Sequence, residues 1–214
     1  MKDSLYVVEP TGDHSEAARA IRISLLGVTR GKPATFLPDK SPDIAGQWKE
    51  WIDEWFLPVL APKFLEVHQL ASQFHIEEVA GVDLDLDRVL PNQLRSRSMQ
   101  SASRLMEGNA EMKHHPEWAR FVSRVERGEL PGHALTLLAL RSVLYHLALV
   151  PALTSYAWFE FHSGLSGCGI QHPDDKTELF LKIAPHLQLA LPGGTDDRCT
   201  GDTVDGSGNS LHTI

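Results

Sequence analysis

From Ser142 to Phe159 the chain reads SVLYHLALVPALTSYAWF, eighteen residues without a formal charge. A run of that kind either crosses a bilayer, which takes about 20 apolar residues, or is buried inside a protein. His146, Pro151, Thr154 and Ser155 interrupt it, and Arg141 and Glu160 lie close to its ends. Polar and ionisable groups are expensive in hydrocarbon but can be paired inside a bundle. The expectation is a long buried central helical element over residues 133–161 of a water-soluble protein, surrounded by other helices.

The rest of the chain supplies those helices. Asp13 and Glu16 open one that carries Ala17, Ile21, Leu25 and Val28 on a single stripe. Prolines make GKPATFLPDKSPD a loop, after which Ser41 and Pro42 start a second helix. There Ile44, Trp48, Trp51 and Trp55 share one face, opposite Lys49, Glu50, Asp53 and Glu54. The stripe is either a core face or a partner-binding surface formed by Trp48, Trp51 and Trp55. Pro58 and Pro62 are expected to separate it from a third helix, which buries Phe64, Val67, Leu70, Ala71 and Phe74 and ends at Gly81.

VDLDLDRVLPN alternates acids with aliphatics and reads as a short extended segment with Asp83, Asp85 and Asp87 on one side. It lacks the turn glycine and final glutamate of a calcium loop. A weaker helix follows over 92–114, then another from Pro116 with Trp118, Phe121, Val122 and Val125 inward, ending near Gly128. PDDKTELFLKIA makes a last short helix, and residues 192–214, mostly Gly, Asp, Thr and Ser, read as a disordered tail. The fold expected is therefore all-α: a single-domain bundle of six or seven helices over residues 1–191, followed by the tail.

A net charge of −8 disfavours nucleic acid and anionic membrane surfaces as partners. Arg95, Arg97 and Arg104 read as a solvated helix face. Cys168 and Cys199 match no zinc spacing, and Cys168 with His172 lies in a glycine-rich loop without a third group to orient them. The N-terminal MKDSLYVVEPTGDHSEAA has no apolar core of signal-peptide length, which points to the cytoplasm.

The sharpest polar motif is EMKHHPEW, residues 111–118. Pro116 pushes His115 out of helical conformation and towards an N-cap position, while His114 falls at the end of the preceding helix. Glu111 and His114 have the three-residue spacing that carboxylate-bridged di-iron bundles use twice, and here it occurs once. Glu111 and His114 are thus the candidate metal ligands.

HHPEW also resembles the signature of the pterin-4a-carbinolamine dehydratases, a small α/β family. The resemblance implies that His114 and His115 match the family's paired histidines and His133 its later one, the three surrounding the substrate and assisting loss of water. It spans residues 111–133. The acid before the pair sits one residue too close, His133 comes one residue late, and ERGELPG lacks a strand pattern.

Arg141 and Tyr145 share a helix face at four-residue spacing and can meet an anionic ligand, with His146 kept neutral by the apolar run around it. The three are the candidate polar groups of an otherwise apolar pocket. RSVLYH also has the R-x4-H spacing of some helical ribonucleases, against which the acidic charge stands. No serine elbow, phosphate loop, dinucleotide fingerprint or HExxH is present. The leading expectation is a non-catalytic accessory or binding protein, holding a protein partner or small ligand through the tryptophan face or the pocket. The alternative is a His-dependent enzyme, metal-assisted or dehydratase-like, using His114, His115 and His133. The identity of any cofactor is left open by the residues.

Overall fold

The computed structural model describes residues 35–36 and 43–167. The expected helices near residues 13–28 and 173–184, Cys168, Cys199 and the 192–214 tail lie outside the described residues. Those described form an all-α architecture with no strand among them.

Asp43 caps the first helix, α1 (Ile44–Trp51), by accepting from the Gly46 N–H at 2.9 Å. The chain then continues without a break through a π-helical segment (Ile52–Leu60) into α2 (Ala61–Ser72), so the expected proline separation does not occur. Pro58 sits inside the wider π-turn, and Pro62 occupies the first turn of α2, where a missing N–H costs little.

Helix α3 (Ile76–Val89) absorbs both Gly81, expected as a cap, and the Asp83–Asp87 stretch, expected to be extended. The alternation was misleading because three apolar residues of that stretch do not share a fate: Val82 and Leu86 are buried, four apart on one helix face, whereas Leu84 is exposed. Helix α4 (Asn92–Gly108) is followed by a 3₁₀ turn (Ala110–His114) and by α5 (Pro116–Glu126).

The central element is α6 (Ala134–Leu144), in which every residue from Ala134 to Ser142 is buried. It packs against α2 and α4, and on its other sides against α3 and α7 (Leu149–Gly167). The apolar run is thus interior at its two flanks but reaches the surface between them, where His146, Ala148 and Val150 are exposed, and it is two helices and not one. Pro151 explains the division: its ring would clash with the carbonyl four residues back, so a helix entering from α6 cannot pass through it. The chain turns instead at His146, whose φ is +56°. Among the described residues no helix is long and apolar enough to cross a membrane.

Trp48 and Trp51 belong to the core. Their rings stack 4.7 Å apart, Phe36 meets Trp48 edge-on at 4.8 Å, and Phe161 of α7 does so at 4.9 Å. The tryptophan stripe therefore faces inward, and only Trp55 of the three is half-exposed. Glu160, buried beside this cluster, accepts from the backbone N–H groups of Thr35 (2.7 Å) and Phe36 (3.2 Å). Burial pushes its carboxyl above the usual carboxylate range, partly offset by those hydrogen bonds.

Candidate functional site

Helices α2 and α6 end in the same unusual way, and their ends lie side by side. At the end of α2 the His75 N–H reaches back to the Leu70 carbonyl (3.0 Å) and the Phe74 N–H to that of Ala71 (3.0 Å). At the end of α6 the Leu147 N–H reaches the Ser142 carbonyl (2.9 Å) and the His146 N–H that of Val143 (2.8 Å). Each pair of bonds closes a cap that requires a left-handed residue, a position usually filled by glycine. Here it is filled by Phe74 (φ +62°) and His146 (φ +56°), the two non-glycine residues with positive φ among those described.

Both residues line one groove of about 580 Å³. Val143, Leu144, Leu147 and Ala148 form its apolar wall, and Phe74 stands at its edge, 68% exposed. Its polar groups come from separate elements: His68 and Ser72 from α2, His115 and Glu117 from the start of α5, and His146 from the α6–α7 junction. That volume lies within the range of small-molecule sites, about 300–1,000 Å³.

The state of His68 follows from its partner. Nε2 lies 3.1 Å from the Leu147 carbonyl, which can only accept, so Nε2 carries the proton and Nδ1 is left as an acceptor. Burial holds its pKa below the ordinary imidazole value, opposed by the bond to Leu147, and the ring stays neutral at neutral pH. The ring stacks on Phe64, which stacks on Tyr156 of α7, so its orientation is fixed by the core. The Ser72 hydroxyl likewise spends its proton locally, on the Gln69 carbonyl at 2.7 Å.

His115 takes the N-cap position of α5 with extended backbone, as Pro116 demands, but its side chain makes no capping bond. It is exposed to the groove. His114, in the 3₁₀ turn, is also exposed but is not part of the lining, and the side chain of Glu111 is not among those described. Among the described residues no three His, Cys, Asp or Glu side chains are placed to hold a metal ion.

The third candidate catalytic residue is elsewhere. His133 precedes α6, whereas His115 sits beside its far end, against Val143 and Leu144, which puts about 16 Å of helix between them. The dehydratase-like trio does not assemble, and the sheet that the resemblance implies is absent from the described residues. His133 is fully buried within a structural cluster. Asp83 accepts from the Gly132 N–H (2.8 Å), the His133 N–H (2.9 Å) and the Thr136 hydroxyl (2.6 Å), and Ser98 accepts from the Ala134 N–H (3.1 Å). A buried carboxylate at a helix N-terminus is stabilised by these donors and by the helix dipole. Gly132 is obligatory there: its φ is +69°, and a Cβ would fall 2.6 Å from a Val125 methyl. Asp87 Oδ1 approaches the His133 ring at 3.6 Å, but burial is the larger influence and lowers the His133 pKa.

The Arg141, Tyr145 and His146 set is divided too. Arg141 is buried, its guanidinium 5.3 Å from the centre of the Tyr145 ring, so those two meet as their spacing implies. His146, one residue past the α6 cap, turns away into the groove and is exposed, not desolvated as the apolar run around it suggests. The structure thus joins His115 of the catalytic set and His146 of the pocket set to Glu117 of the HHPEW segment and to His68, Ser72 and Phe74, for which the sequence gives no functional sign. No protein-family model matches the chain, and neither a curated protein nor a solved structure gives a significant match.

Proposed function

We propose that the protein is a non-catalytic binding protein whose groove between the ends of α2 and α6 holds a small amphipathic ligand. The observation that carries this reading is that both strained non-glycine residues, Phe74 and His146, line that one groove. A bulky residue in the left-handed region costs about 1–2 kcal/mol where glycine would cost none. Stability gives little return for Phe74: with 68% of it exposed, about a third of an aromatic area of roughly 200 Å² is covered, worth about 1.6 kcal/mol. That barely offsets the strain. Strained residues are retained where the side chain they present is used, and here the two present an apolar ring and an imidazole to the same space.

The partner-protein version of the reading has less support, because Trp48 and Trp51 are occupied in the core. The His-dependent enzyme has less as well, since His114, His115 and His133 do not converge. The test is calorimetric titration with 1-octanol, a neutral probe with an apolar tail and a polar head. Saturable one-to-one binding is expected for the wild type. It should be lost in Ala148→Trp, where an exposed position gains a side chain large enough to fill the groove. Equal binding by both proteins, or none by the wild type, refutes the proposal.

A further inference from the structure

We infer that the ligand of this groove is a hydrophobic amine held as its ammonium, an inference that rests on the binding role proposed above. The argument is a count of donors and acceptors. Among the described lining residues there is no Lys or Arg, and the one formal charge is the Glu117 carboxylate. Two of the potential donors are already committed within the protein: the His68 Nε2–H to the Leu147 carbonyl and the Ser72 hydroxyl proton to the Gln69 carbonyl. What those two side chains have left to offer is lone pairs, on Nδ1 and on Oγ. The imidazoles of His115 and His146 each bring a ring nitrogen with a lone pair in the unprotonated form.

An ammonium group is all donor and positive, and it satisfies such a lining. Its charge is balanced by Glu117, its protons go to the acceptors, and the exposed Phe74 ring offers a face for cation–π contact. The alkyl or aryl body lies along Val143, Leu144 and Leu147. A carboxylate of the same size would face Glu117 and the same lone pairs with no cation to receive it, and like-charge juxtaposition disfavours it. A neutral alcohol would gain the apolar contact and a single donated hydrogen bond, without the charge pairing.

The experiment compares octylammonium, octanoate and 1-octanol by calorimetry on the full-length protein at about pH 8, below their micelle concentrations. There imidazoles are neutral and a primary ammonium remains charged. Octylammonium should bind at least about tenfold more tightly than octanol, and octanoate more weakly than octanol. Glu117→Gln should remove most of the preference for octylammonium over octanol, both measured on the same variant, while Glu117→Asp keeps the preference. Octanoate binding as tightly as octylammonium, or a Glu117→Gln protein that keeps most of its preference for the ammonium, overturns the amine inference. Octanol binding in that case leaves the groove standing. Failure of all three probes to bind removes both.

Discussion

Replacing Phe74 by glycine and, separately, by alanine isolates the strain on which the groove reading is built. Both substitutions remove the same partly covered ring, at a cost of about 1.6 kcal/mol from the area it buries. They differ only in backbone. Alanine at φ +62° retains the left-handed penalty of about 1–2 kcal/mol, and glycine escapes it at the expense of about 0.5–1 kcal/mol of extra chain entropy. Glycine should therefore be the more stable of the two by about 0.5–1 kcal/mol. In an ordinary helix interior the order is the reverse, with alanine ahead by about 1 kcal/mol. Urea unfolding at equal m-value reads the difference as a shift in midpoint. Both variants should stay folded and both should bind octylammonium more weakly, since each lacks the ring. An alanine variant more stable than the glycine one would show that Phe74 is not held in the strained conformation, and the argument from strain would fail.

Two further perturbations test the architecture behind the groove. Asp83→Ala strips three hydrogen bonds from the start of α6 and leaves buried donors unpaired, so a loss of about 3–5 kcal/mol is expected in denaturant unfolding. Asp83→Asn, which keeps one acceptor oxygen, should lose less. Stability should also depend on pH through two groups with depressed values. His68 and His133 have folded pKa values below the ordinary imidazole value, so the unfolded chain takes up protons first. Their contribution is present above about pH 6.5 and is lost as pH falls through the lowered values. His133→Asn should flatten the fall in urea midpoint between about pH 7.5 and pH 5.5, and an unchanged slope would mean that His133 is not held neutral. Glu160 acts in the opposite sense: its raised value gives a contribution that is full below the ordinary carboxylate range and is lost as pH rises through the raised one.

The sequence made the fold class readable because apolar spacing reports directly on which faces are buried. Trp118, Phe121 and Val122 recur at helical intervals and are buried in α5, and Pro116 marks its start. The two flanks of the charge-free run were legible as interior for the same reason, while its middle, with His146, Ala148 and Val150 exposed, was not. What the run did not reveal was its division, because Pro151 marks where a helix cannot continue but not that His146 would take a left-handed turn upstream of it. The DLDLD stretch failed for a related reason. Asp83 serves the start of α6 from a distance of fifty residues, a role with no local signature, and its burial disguised a helix face as strand alternation. The tryptophan stripe was visible, and its inward direction was settled by Phe36 and Phe161, from opposite ends of the described chain. The groove was the least legible feature. His68, Phe74, His115 and His146 meet only because α2 and α6 end side by side, and residue spacing carries no information about that.

The most direct test is a ¹H–¹⁵N spectrum of the uniformly labelled full-length protein titrated with octylammonium. Saturable shifts confined to the amides around Phe74, His115, Glu117 and Leu147 would place the ligand where α2, α5 and α6 meet. Shifts centred instead on Trp48, Trp51 and Trp55, or no saturable shift at any residue, would contradict the account.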